Sequence, residues 1–158
     1  MNYSKFVERI IDILQADKKF SETVSEIRFG DFGDKQDQTT ANSYPLCYVT
    51  TASNPEISRR AITSAKSVSS TPSQRREFEF WVVIVVSGPT PEETQKQLYE
   101  LANMGSEILE KNVQLRTPHN DDDPLCSFSQ VFIQRRIEKK RGSLVEGITI
   151  RLRPVVIV

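Results

Sequence analysis

One histidine and two cysteines in 158 residues exclude multi-histidine and four-cysteine metal centres. Cys47 and Cys126 lie far apart, and neither stands in a CxxC or Cys/His spacing. Both read as small apolar residues, buried and reduced within strands, with a disulfide as the alternative. Long hydrophobic runs are missing as well. The most apolar stretch, around residues 81–86, is far shorter than the roughly 20 residues a helix needs to span a bilayer. Residues 1–5 pass directly into an amphipathic pattern with no signal-peptide h-region, so no membrane partner is expected, and an intracellular or particle-associated protein is. Neither sign of charge dominates, because 21 Lys and Arg balance 21 Asp and Glu. Any electrostatic role must therefore come from local asymmetry.

Catalytic signatures are equally scarce. No GxSxG elbow and no glycine-rich phosphate loop occurs, and Asp31-Phe32-Gly33 matches the kinase metal-binding triplet by letters alone in a chain too short for a kinase. His119 with Asp121, Asp122 and Asp123 offers nitrogen and oxygen ligands, but three consecutive carboxylates do not converge on one ion without unusual backbone geometry, and a solvated acidic turn is the preferred reading. Glu77 and Glu79 share a strand face and read as a solvated strand end sooner than as an acid/base pair. No catalytic residue, metal or cofactor is expected, and the chain is read as a non-enzyme.

What is present is a pattern of elements that fits one domain, residues 1–158. Phe6, Val7, Ile10, Ile11 and Leu14 recur at helical spacing and predict a helix over 4–15 capped by Ser4. Strands are expected over 23–29, 44–52 and 77–87, the last passing from one-sided to two-sided apolar character, as at the centre of a covered sheet. Thr90-Pro91-Glu92-Glu93 supplies an N-cap, a proline at the first helical position and an acid at the third. Leu98, Leu101, Ala102, Gly105, Ile108 and Leu109 continue that helix as an apolar stripe with a small centre, and Asn112 is the expected C-cap. Residues 125–139 and 144–158 read as an antiparallel hairpin. The fold class is α+β: a mixed or antiparallel sheet of about five strands with two helices on one face and a long basic insert between strands.

That insert, residues 53–76, carries Arg59, Arg60, Lys66, Arg75 and Arg76 against the single acid Glu56. It is far longer than the usual connection of about 4–6 residues, which points to a contact role and to a flexible loop. Its five cations suit phosphates, so a nucleic-acid-binding module is one reading. It has no aromatic residue to stack on bases, and a protein-docking arm that orders on an acidic neighbour is preferred.

The amphipathic first helix, the interrupted strands, the segments 78–87, 90–109 and 144–158, and their order resemble the tail terminator, or tail completion, proteins of tailed viruses. The resemblance covers nearly the whole chain as a layout of elements and brings no catalytic motif. It implies a structural virion protein of the tail, assembled in the host cytoplasm, that forms a homo-oligomeric ring, expected to be a hexamer. Its partners would be the tail tube protein, whose polymerisation it ends, and the head-tail connector protein, with DNA passing transiently through the ring lumen.

Overall fold

In the computed structural model the elements run α1 (Tyr3–Ala16), α2 (Lys18–Thr23), β1 (Glu26–Phe29), β2 (Leu46–Ile62), β3 (Ser73–Ser87), α3 (Pro91–Glu110), β4 (Phe128–Gln134) and β5 (Val145–Ile157). The structure describes residues 2–30, 44–62, 73–116, 123–134 and 145–157. The five strands form one mixed sheet in the order β1-β2-β3-β5-β4, in which only the β1–β2 pair is parallel. The α+β class follows directly, with three helices where two are expected.

The additional helix, α2, arises from Asp17, whose side chain accepts from the Phe20 N–H at 2.9 Å and caps six residues carrying one buried aromatic. It ends on Thr23, the first residue of the segment expected as strand, with Val24 as its C-cap, and β1 holds only Glu26–Phe29. At α1 the cap is Asn2, two residues earlier than Ser4, through the Lys5 N–H. At α3 the Thr90 hydroxyl accepts from the Glu93 N–H at 3.3 Å, with Pro91 in the first turn, as its sequence pattern dictates.

Alternation along β3 sorts the sheet into two faces. Phe78, Phe80, Val82, Ile84 and Val86 are fully buried and point at the helices, where Phe6 of α1 stacks on Phe80 with ring centroids 5.1 Å apart. Burying each such side chain contributes about 1.5–3 kcal/mol. Gly105 lets α3 approach closely, since a Cβ there would sit 3.0 Å from Ile150 Cδ1 and 3.6 Å from the Phe20 ring. On the opposite face no helix lies over β3 among the described residues. Val83 and Val85 are nonetheless buried, flanked in register by Tyr48 and Thr149, and by Leu46 and Gly147. The expected two-sided burial is thus supplied at Val83 and Val85 with cross-strand neighbours and without a helix layer. No helix among the described residues is long and apolar enough to cross a membrane.

Candidate docking surface

The strand ends expected at residues 52 and 77 need correction. β2 runs on to Ile62 and β3 begins at Ser73, so residues 53–62 and 73–76 belong to a paired, antiparallel arm and not to an unpatterned loop. Their polar composition and Pro55 hid the strand, because the arm is held by ladder pairing and not by a buried face. A bulge marks where it leaves the core: between the Thr51–Phe80 and Glu56–Phe78 pairs, residues 52–55 stand against Glu79 alone. Lys66 and the rest of 63–72 lie outside the described residues.

Pairing places the candidate arginines directly across from one another, Arg59 opposite Arg76 and Arg60 opposite Arg75. Like charges so placed repel, and acids on the arm relieve them. Glu56 Oε1 and Oε2 accept from Arg59 Nε and Nη2 at 2.7 and 3.1 Å, and from Arg76 Nε and Nη2 at 3.2 and 2.7 Å. The hydrogen bonds from Arg76 and then Arg59 hold the Glu56 carboxyl down at about 2. Arg75 pairs with Glu77 at 2.9 Å and sits 5.6 Å from the Phe128 ring centroid. Arg60 is exposed, with no ion pair among the described residues. Ile57, 39 % exposed, stands between these charges.

A second charged group escaped the sequence reading. Glu79, expected at a solvated strand end, is 6 % exposed on the helix-free face. Its Oε1 accepts from Arg151 Nε and Nη2 at 3.0 and 2.6 Å and from Arg153 Nε at 2.9 Å, and its Oε2 accepts from Trp81 Nε1 at 3.1 Å. Burial pushes this carboxyl up, but the bonds from Arg151, Arg153 and Trp81 more than reverse it and leave the group below its ordinary value. Arg153 also lies 5.3 Å from the Phe132 ring centroid. The available signal was the alternation Arg151, Arg153 on β5 beside Glu79 on β3, which only the register joins.

Arg9 of α1 is a further charged side chain with distant partners. It is buried, and its Nη1 donates to the Leu115 and Asp123 carbonyls at 2.8 and 2.9 Å while Nη2 pairs with the Asp123 carboxylate at 3.1 Å. Leu115 is itself buried at a φ of 50°, a left-handed conformation that costs a non-glycine residue energy. Asp123 thereby serves an internal ion pair; His119, Asp121 and Asp122 lie outside the described residues. No group of three or more His, Cys, Asp or Glu that would hold a metal occurs among the described residues. Cys47 and Cys126 are buried free thiols, and burial pushes both up to about 12. Cys47 lies in β2, whereas Cys126 precedes β4 and donates toward the Val113 carbonyl at 3.4 Å.

A surface groove of about 650 Å³ runs between α1–α2 and α3, floored by Ile13, Met104 and Ile108 and rimmed by charges of both signs. It shares no residue with the arm. The large apolar side chains that stand exposed are mostly on strands: Phe29 on β1, Ile57 on the arm, Phe132 and Ile133 on β4, and Ile157 on β5. No protein-family model matches the chain, and no curated protein does.

Proposed function

We propose that the chain is a structural assembly protein that caps a virus-like tail tube as a homo-oligomeric ring, ending tube polymerisation and forming the surface for the head connector. The observation that carries this reading is the character of the exposed surface. Large apolar residues project from both edges of the sheet and from the arm, which suits protein contact. Three of the arm's four described arginines already pair with acids, Arg59 and Arg76 with Glu56 on the arm and Arg75 with Glu77 at its base. That weakens the alternative of a nucleic-acid-binding module, whose affinity needs cations available for phosphates. It suits a docking arm whose charges set register and orientation on a neighbouring protein. Association with the tail tube protein and the connector, and a sixfold ring, rest on the resemblance in element layout.

Electron microscopy of the purified chain, alone and mixed with tail tubes, tests the reading. Rings that sit on tube ends are expected; a chain that stays monomeric beside tubes and never marks their ends overturns it. Titration with single-stranded and duplex DNA at low salt tests the alternative, for which tight, salt-dependent binding is required.

A further inference from the structure

Among the described residues no strand pairs with the outer side of β1 or of β4, so the sheet ends there in two edges, and they differ. β4, Phe128–Gln134, has the sequence FSQVFIQ, with no charge, proline or glycine, and Phe132 and Ile133 are 44 % and 41 % exposed on its two faces. Edge strands are ordinarily blunted by charge, proline or brevity, because their unpaired N–H and C=O groups template a further strand. β1, Glu26–Phe29, is short and ends in Phe29, 56 % exposed. Resting on the ring reading, we infer that β4 of one copy adds to β1 of the next, so that the ring is held by one sheet continued from subunit to subunit.

The direction and the faces both agree with this contact. β1 runs with β2, β2 against β3, β3 against β5 and β5 against β4, so β4 runs opposite to β1. Copies rotated about an axis along the strands keep their strand directions, and β4 then meets the neighbour's β1 as an antiparallel pair. Setting Glu26 opposite Gln134 uses the whole of β1. In that register Ile27 meets Ile133 and Phe29 meets Val131, and all four residues belong to the helix-bearing face of their own sheet. Arg28 meets Phe132 on the other face, where Arg153 already lies by that ring. A ring requires two different, mutually complementary patches on one chain, which the two edges provide. Pairing β4 with β4 closes a two-fold dimer instead and leaves Phe29 in water.

Cross-linking decides between these arrangements. The full chain carrying Arg28→Cys and Phe132→Cys is oxidised under conditions in which the wild type forms rings, Cys47 and Cys126 being buried and out of reach. A denaturing gel is expected to show a ladder rising in steps of one chain and stopping at the ring size, with each single variant remaining monomeric. Rings without a ladder overturn the edge pairing and leave the ring reading standing. Dimers from Phe132→Cys alone overturn it in favour of β4 against β4. A ladder from a chain that never binds tube ends keeps the edge pairing and overturns the capping function. Ile133→Lys, which places one charge on the edge, is expected to lose the rings while keeping the monomer's circular dichroism; unchanged rings count against the pairing.

Discussion

Arg59 stands directly across the β2–β3 ladder from Arg76, and both guanidinium groups close on the single carboxylate of Glu56. Two cations that would repel become a three-membered unit that fixes the base of the arm. Arg76 extends that unit toward the core, lying 5.2 Å from the Phe78 ring centroid. The arm thus joins the sheet through a charge cluster built on an aromatic floor.

Acid should release this unit. Glu56 is held down to about 2 from an ordinary 4.5, so its contribution is complete above about 4.5 and is lost as pH falls through about 2. Carboxyl carbon NMR should place the Glu56 midpoint at about 2, and a midpoint near 4.5 would contradict the paired geometry. Glu56→Gln should make the amides of residues 56–60 and 74–77 exchange faster at neutral pH, with the β3–β5 core unchanged.

Removing Arg9 should cost far more than removing a surface charge. Arg9→Met leaves the buried Leu115 carbonyl and Asp123 without their donor, and a loss of about 3 kcal/mol is expected in urea unfolding. A loss below about 1 kcal/mol would mean that the turn at Leu115 holds its conformation without Arg9.

The contact of α3 with the sheet gives a graded test. A Cβ at Gly105 meets only the flexible Cδ1 of Ile150 at 3.0 Å, so Gly105→Ala should be accommodated by a small shift of that methyl. Gly105→Val drives branches toward Phe20 and Ile84 and should destabilise by about 1–3 kcal/mol. Equal denaturation midpoints for the two variants would contradict the close approach.

Glu79 can be followed through the chain's only tryptophan, since Trp81 Nε1 donates to it. Glu79→Gln removes the charge between Arg151 and Arg153 and should shift the Trp81 emission maximum and lower the unfolding midpoint. An unaltered spectrum and midpoint would show that the arginines find other partners.

These tests fall on features of uneven legibility in the sequence. The α3 start was readable because Thr90, Pro91 and Glu93 act locally, and β3 because alternation from Phe78 to Val86 reports a buried face. The antiparallel pairing of the two closing strands was readable as well; β4 begins at Phe128 and not at residue 125, and the connection, 135–144, lies outside the described residues. The arm was not, because the strands of 53–62 and 73–76 are polar and exist through their mutual register. Glu56 was visible as the lone acid among basic residues, but its role depends on Arg59 and Arg76 meeting from opposite strands. Glu79 was misread, and Arg9 passed over, for a related reason: each is a charge whose ion-pair partners lie more than 70 residues away.

The capping function is tested most directly by letting tail tube protein polymerise in the presence of the full chain and measuring tube lengths by electron microscopy. Shortened tubes with a ring of this protein at one end are the predicted result. Tubes of unchanged length, with the chain free in solution and their ends bare, would contradict it.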